Sequence, residues 1–237
     1  HDHTDIVEML LDNGADIHLA DASNINALLM AVENNSMASA RLIIERGSDV
    51  NEVDWYGRTP LWEAINVRNL YNHNDLFDNY VNNRDEILDL VRILVDKGAD
   101  VNARTQESPP IRLHLLPTTG TLEWVDFTGQ TPFLRAARAG DMDVMQFLLA
   151  SGADPHIQTF AGTNALMAAA GINWVVSQTW TEGPEQLLAA VQLCIELGMD
   201  VNHSNSMGLA AIHGAANRGS NDIINLLVQN DAKLDLL

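Results

Sequence analysis

A tripeptide that recurs along the chain constrains its fold more than any other feature of the sequence. Gly-Ala-Asp or a close variant of it begins at six positions: Gly14, Gly47, Gly98, Gly152, Gly198 and, in degenerate form, Asp231. The first and last steps, from 14 to 47 and from 198 to 231, are both 33 residues long, and the three steps between them are longer. A fixed period of this length is typical of repeat proteins, in which each unit is one supersecondary element. The spacing therefore predicts a 33-residue unit with three insertions.

The residues inside each unit indicate a turn followed by two helices. Five units align when they are started at Asp21, Asp54, Asp126, Thr159 and Asn205. Their fourth position is Gly or Asn, which suits a turn at positive φ. Thr-Pro or a similar pair follows, and it has the composition of a helix start, because Thr caps free amides and Pro fits the first helical turn. The eleventh position is always Ala, which predicts that a neighbouring helix approaches closely there. Ala210, at the start of the last unit's first helix, has no side chain that can cap the helix, so we expect the last unit to fray more easily.

This pattern resembles the ankyrin repeat, a 33-residue helix pair with a protruding β-turn finger. The unit starting at Asp126 matches most fully, from Gly129-Gln130-Thr131-Pro132 to Gly152-Ala153-Asp154. The resemblance implies an all-α ankyrin-repeat solenoid of helix-turn-helix units with β-turn fingers and three long insertions. The histidine usual after Thr-Pro-Leu occurs only as His213, so we expect some fingers to be held by other means.

We expect residues 1–237 to form a single ankyrin-repeat domain that belongs to a longer array, because neither end shows a polar capping unit. The expected segments are a partial unit 1–20 and units 21–53, 54–104 with insertion 70–83, 126–158, 159–204 with insertion 172–184, and 205–237. Residues 105–125 would lengthen the finger before Asp126. Segments 131–141, 164–171 and 211–223 also resemble long bacterial ankyrin-repeat proteins, which are often exported. That narrower resemblance favours an exported or periplasmic location over the cytoplasm.

Charge and composition narrow the kinds of partner. Asp and Glu total 32 against 13 Lys and Arg, which gives a net charge of −19. Nucleic acids and anionic membrane surfaces need clustered cations, so both are disfavoured. No apolar run approaches the roughly 20 residues that span a bilayer, so membrane insertion is not expected. The single cysteine excludes an internal disulfide framework and a cysteine-based zinc site.

The sequence shows no pattern of catalytic residues, and we expect a protein that is not an enzyme and holds no cofactor or metal. Cys194 aligns with apolar core positions of other units, and no nucleophile elbow or phosphate-binding glycine loop is present. An alternative is that the first insertion binds Ca²⁺ through oxygen ligands. Its candidate residues are His73, Asn74, Asp75, Asp78, Asp85 and Glu86. Their spacing is not that of an EF-hand, and a solvated acidic loop is the default interpretation.

The resemblance implies a concave groove lined by the finger tips and the inner face of each first helix. The partner-binding candidates near this groove are Trp55, Tyr56, Arg58, Trp62, Trp124, Phe127, Gln130, Arg138, Phe160, Met207 and Arg218. Aromatic residues occupy the second position of three successive units, and rows of exposed aromatics are typical of binding hot spots. We therefore expect a non-catalytic scaffold that binds a peptide or protein surface in its groove. The alternative is an accessory region of a larger enzyme or sensor.

Two groups of candidate residues have competing interpretations. Arg58, Arg138 and Arg218 fall at groove positions, where a guanidinium could clamp a partner's carboxylate. They could instead pair with acids of this chain, such as Asp54 and Asp141. The insertions are rich in aromatics that could bind a partner or fold back over the edge of the solenoid: Tyr71, Phe77, Tyr80, Trp124, Trp174 and Trp180.

Overall fold

The computed structural model describes residues 2–70, 83–107, 126–174 and 181–234. In these residues the chain forms eleven α-helices and no extended β-strand. The helices are α1 (Thr4–Asp12), α2 (Ala27–Glu33), α3 (Met37–Glu45), α4 (Pro60–Arg68), α5 (Arg84–Asp96), α6 (Pro132–Ala139), α7 (Met142–Ala150), α8 (Ala165–Ala170), α9 (Pro184–Glu196), α10 (Ala211–Arg218) and α11 (Asn221–Gln229).

The helices stack in two rows. Consecutive helices contact each other as pairs, from α2 with α3 to α10 with α11. The first helices of the pairs contact one another in the order α2, α4, α6, α8 and α10, and the second helices contact their own neighbours, as α7 contacts α9 and α9 contacts α11. One apolar core runs through both rows. The prediction of an all-α solenoid of helix pairs is confirmed.

The predicted capping residues begin the first helices. The side chains of Thr59 and Thr131 accept hydrogen bonds from the amides of Trp62 and Leu134 at 3.1 and 3.2 Å. Asn26 and Asn164 cap α2 and α8 in the same way. Ala210 has no side-chain acceptor, but its own amide donates to Nδ1 of His213 at 2.9 Å. Among the first helices of the described pairs only α10 lacks a side-chain cap, and there His213 accepts a hydrogen bond from the backbone amide instead.

The alanines at the eleventh position are all buried in the stack, as the close approach of neighbouring helices requires. Ala64, Ala136, Ala169 and Ala215 have no exposed surface, and Ala31 has 8%. At the end of α8 the approach is tighter still, because a Cβ placed on Gly171 would lie 2.5 Å from the carbonyl oxygen of Gly214. Small residues thus set the spacing of the first helices.

The fingers are held by the side chain that begins each unit. Oδ1 of Asp54 accepts hydrogen bonds from the amides of Tyr56 and Arg58, both at 2.9 Å. Oδ1 of Asn205 does the same for Met207 and Leu209, each at 3.0 Å. This arrangement closes the turn without the missing histidines, because a short polar side chain bonds the backbone two and four residues ahead. The expectation that other groups hold the fingers that lack the histidine is met at Asp54.

An asparagine after the Gly-Ala-Asp turn links successive units. Asn51 donates through Nδ2 to the carbonyl of Gly98 at 2.9 Å and accepts from the amide of Asp100 at 2.8 Å. Asn102 and Asn202 make the corresponding pairs of bonds to the units that follow them. His156 stands at the same position but makes no such pair in the described part of the chain.

Replacing His156 by Asn is therefore expected to stabilise the stack. The new amide would reach the carbonyl of Gly198 and the amide of Asp200, and hydrogen bonds of this kind contribute roughly 0.5–1.5 kcal/mol each. Chemical denaturation of the two proteins measures the difference. Asn51→His is the matched reverse change and should lower stability by a similar amount. Equal stability of wild type and His156→Asn would contradict this account of the asparagine link.

Candidate functional site

Four of the groove candidates are buried, namely Trp62, Gln130, Arg58 and Arg138, and the first two do not belong to a binding surface. Trp62 is only 2% exposed, because it follows the cap Thr59 by three residues and points into the stack. Gln130 is 3% exposed, and its amide donates to the carbonyl of Asp126 at 3.3 Å. Neither side chain can offer surface to a partner in this conformation, so including them was wrong.

Arg58 is occupied by acids of its own chain. Its guanidinium lies 2.6 Å from Asp54, 3.2 Å from Glu63 and 3.6 Å from Glu33. Burial alone would lower the pKa of Arg58, but the negative charges of Glu63 and Asp54 outweigh it and raise the pKa. For this arginine the internal-pairing interpretation is confirmed, and it is not a free clamp for a partner.

Three other candidates form an exposed apolar row, which we call the finger row: Trp55, Phe160 and Met207. Their side chains are 71%, 54% and 47% exposed. Backbone hydrogen bonds join each of their fingers to the one before it, from Trp55 to Ser23 at 2.9 Å, from Phe160 to Thr128 at 3.1 Å and from Ser206 to Ala161 at 2.8 Å. The row is therefore carried on linked, hydrogen-bonded turns.

Half-buried aromatic side chains flank the finger row. Tyr56 and Phe127 are partly covered, and the Arg58 Cζ lies 5.7 Å from the centroid of the Tyr56 ring. Trp124 lies outside the described residues, as do Tyr71, Phe77, Tyr80 and Trp180. The competing interpretations of those five aromatics stay open.

Arg104 supports the finger row and was missed in the sequence. Its Cζ lies 4.4 Å from the centroid of the Phe160 ring, and its Nη2 donates to the carbonyl of Gln158 at 2.6 Å. Stacking on a guanidinium orients the ring and contributes about 0.5–1 kcal/mol at an exposed site. No spacing signal marks Arg104, because it acts on a finger more than fifty residues ahead in the chain.

Arg138 and Arg218 have a different environment from Arg58. Arg138 Cζ lies 4.6 Å from the centroid of Phe127, and Arg218 Cζ lies 5.2 Å from that of Trp174. Arg218 donates through Nη2 to the carbonyl of Arg138 at 3.3 Å. Within the described residues neither guanidinium forms an ion pair with a carboxylate. The internal-pairing interpretation therefore does not account for these two arginines.

A buried polar cluster joins the bases of two insertions. The fully buried Asp141 accepts from Nε of Arg68 at 2.8 Å and from Nδ2 of Asn69 at 2.9 Å. Arg84, at the start of α5, lies 3.6 Å from Asp141 and also pairs with Glu182. The cluster joins the end of α4 to the start of α5 and to the start of α7.

The described residues contain no recognisable catalytic or metal centre. No group of three His, Cys, Asp or Glu side chains in this part of the chain is arranged so that it could hold a metal ion. Cys194 is buried, and burial raises the pKa of its thiol to about 12, which disfavours the nucleophilic thiolate. His73, Asn74, Asp75 and Asp78 of the suggested Ca²⁺ loop lie outside the described residues. None of the described helices combines the length and apolarity needed to cross a bilayer.

The chain belongs to the ankyrin-repeat family. A family model described as ankyrin repeats (3 copies) matches residues 1–105 and 133–236. Among solved structures, the ankyrin repeat domain of human ASB11 aligns over 98% of this chain and 80% of its own, with a TM-score of 0.64 and 20% identity. An ankyrin repeat domain from Acinetobacter baumannii aligns over 98% of this chain and 94% of its own, with the same TM-score of 0.64 and 21% identity. The predicted all-α ankyrin solenoid is thereby confirmed.

Curated relatives agree with this assignment. The chicken nuclear factor NF-kappa-B p105 subunit is 26% identical over 170 residues, which are 66% of this chain and 16% of that protein. The ankyrin repeat protein YahD of Escherichia coli K12 is 27% identical over 153 residues, 62% of this chain and 73% of its own length. The chain thus spans about a sixth of the chicken protein. Ankyrin repeats are in general non-enzymatic modules for protein–protein interaction.

Proposed function

We propose that this chain binds a protein or peptide partner through the finger row and the groove beside it. The observation that carries the proposal is the exposure of Trp55, Phe160 and Met207 on hydrogen-bonded fingers. Large apolar side chains on a rigid support lose little conformational entropy when a partner covers them, which is the physical basis of a hot spot.

The charge of the chain favours a protein partner over nucleic acid. With a net charge of −19 the surface repels phosphate backbones. An apolar row inside a negative shell suits a partner segment with apolar side chains, and basic groups on that partner would meet the surrounding acids. The proposed activity is binding alone, so any chemistry would belong to the partner or to another part of the same protein.

The test is an affinity capture with matched variants. Wild type, Trp55→Ala/Phe160→Ala and Val228→Ala are immobilised, and soluble, membrane and exported fractions of the source cells are passed over each. Val228 is the control, because it is a similarly exposed apolar side chain on α11 rather than on a finger. We expect a protein retained by wild type and Val228→Ala and lost from the double variant.

The affinity of the captured protein for each variant measures how much the two substitutions weaken binding. Removing one hot-spot aromatic weakens binding by about 2 kcal/mol or more, so the double variant should bind at least about 30-fold more weakly even if only one of the two residues is a hot spot. Both residues are exposed, and circular dichroism should show unchanged helix content. Identical retention by all three proteins would overturn the proposed finger surface.

A further inference from the structure

We propose that Arg138 and Arg218 form a binding site for a carboxylate group of the partner. This deepens the function proposed above and relies on it only for the source of the carboxylate. The two residues, called the arginine pair from here on, lie at the C-terminal ends of α6 and α10. Both helices pack on α8, which brings those ends together, and Arg218 Nη2 reaches the carbonyl of Arg138 at 3.3 Å.

The arginine pair presents donors without acceptors. Nε and Nη1 of both guanidiniums are buried and have no hydrogen-bond partner in the described part of the chain. Nε1 of Trp174, whose ring lies against Arg218, is a further buried donor without a partner there. A guanidinium and an indole can only donate, so what this place lacks is an acceptor. Buried donors are normally satisfied, so a cluster of donors without partners suits a ligand that accepts hydrogen bonds.

The electrostatic environment of the arginine pair also favours a negatively charged ligand. Burial lowers the pKa of both Arg84 and Arg135, but nearby acids oppose this shift. Asp141 is one of these acids for both arginines. For Arg138 burial and the like charges of Arg135 and Arg218 lower the pKa, and burial lowers that of Arg218 to about 10. No carboxylate of the described residues opposes either shift, although the chain carries 32 acids. Two neighbouring cations without a counter-ion favour the binding of an anion.

Aromatic rings that contact the arginine pair favour a planar ligand. Cζ of Arg138 lies over the Phe127 ring, 4.6 Å from its centroid, and Cζ of Arg218 lies over the Trp174 ring, 5.2 Å from its centroid. A guanidinium in contact with an aromatic ring can still donate its N–H groups to a carboxylate, which is planar like the guanidinium. Arg138 is only 5% exposed and Arg218 is partly exposed, so a ligand would approach from the side of Arg218.

A partner's acidic side chain or chain terminus suits this place better than a phosphate. Phe127 belongs to the finger that precedes Phe160, so the arginine pair adjoins the finger row. A single carboxylate adds one negative charge against the overall −19, whereas a phosphate adds up to two and is repelled more strongly.

The test titrates the full chain, labelled with ¹⁵N-arginine, with acetyl-Gly-Glu-Gly-amide at constant ionic strength. We expect saturable shifts of the Nε–H signals of Arg138 and Arg218 with one common midpoint. Arg92 serves as the internal control, because it is exposed and already paired with Asp89. The Gly-Gln-Gly peptide should produce no saturable shift. Absence of saturation with both the glutamate peptide and a peptide that has a free C-terminal carboxylate, or equal shifts at Arg92, would overturn the site.

Two variants separate binding from folding. Arg218→Lys keeps the charge but loses the fork, and Arg138→Met removes one buried cation while filling its space. Each should weaken peptide binding roughly 10- to 100-fold, as expected for loss of hydrogen bonds to a charged group. The thermal midpoint of Arg138→Met should be unchanged or higher, because an unpaired buried charge is removed. Unchanged peptide affinity in a folded Arg138→Met would contradict the proposal.

Two further comparisons identify the source of the carboxylate and separate failure of this proposal from failure of the proposed function. Acetyl-Gly-Gly-Gly with a free C-terminus tests a chain terminus against the glutamate side chain, and binding of either supports the site. Tighter binding of inorganic phosphate than of both peptides would overturn the choice of a carboxylate. These titrations need no partner, so they can fail while the capture through Trp55 and Phe160 succeeds, and the reverse also holds.

Discussion

Replacing Asp141 by Ala is expected to destabilise the protein by about 3–5 kcal/mol. The substitution leaves the buried Arg68 and the largely buried Arg84 without their shared carboxylate, and removing one partner of a buried ion pair has an effect of this size. It also removes the cap that accepts from the amide of Val144 at 3.5 Å. In a chain of this length 1 kcal/mol shifts the melting temperature by about 2–4 °C, so the change is readily measured by urea or thermal unfolding.

The control for Asp141 is an ion pair of the same chemistry on the surface. Asp89 lies 2.8 Å from Arg92, and both side chains are more than half exposed. Asp89→Ala should therefore change stability by only about 0–1 kcal/mol. Asp141→Asn keeps an oxygen for the helix cap and loses the charge, so its stability should fall between wild type and Asp141→Ala. A similar small effect for Asp89→Ala and Asp141→Ala would contradict the importance of burial in this cluster.

The second large effect is expected at Gly171, where α8 meets α10. An alanine Cβ at this position would lie 2.5 Å from the carbonyl oxygen of Gly214, and φ is +130°. Backbone strain of about 1–3 kcal/mol and a steric overlap of about 1–3 kcal/mol should together lower stability by roughly 2–6 kcal/mol. Chemical denaturation measures the loss, and hydrogen exchange should place the loosened contact between α8 and α10.

Gly183 offers a control that shares the backbone strain without the overlap. Its φ is +132°, but an added Cβ would meet only the flexible end of the Gln186 side chain at 3.2 Å. Gly183→Ala should therefore lower the free energy of unfolding by about 1–3 kcal/mol, from backbone strain alone. Gly214→Ala provides the reciprocal check, because its Cβ would lie 2.7 Å from the Ile172 amide nitrogen although alanine favours helices. If Gly171→Ala lowers the free energy of unfolding by no more than Gly183→Ala does, the close approach of α8 and α10 does not limit their packing.

The repeat architecture could be predicted from the sequence because its signals are local. A cap such as Thr59 and a small residue such as Ala64 recur at fixed positions, and each acts within its own unit or on the adjacent one. Trp62 shows where this reasoning failed. Its aromatic character predicts a binding surface, but its place three residues after the cap puts it inside the stack.

The arginines show why the site could be predicted only in part. Arg58 and Asp54 are four residues apart and do pair. Arg138 and Asp141 are three apart, but α6 ends at Ala139 and the left-handed Gly140 turns the chain, so that Asp141 caps α7 and binds Arg68. Partners such as Arg104 and Phe160, or Arg218 and Trp174, lie in different units. Only the packing of the units brings them together.

Photo-crosslinking to the captured partner tests the central claim most directly. A benzoylphenylalanine is placed at position 55, at position 160 or, as the control, at position 228, and each chain is irradiated with the partner bound. The account predicts crosslinks to the partner from positions 55 and 160 and none from position 228. Crosslinks from position 228 alone would show that the partner sits on the outer helices and would contradict the finger row as the binding surface.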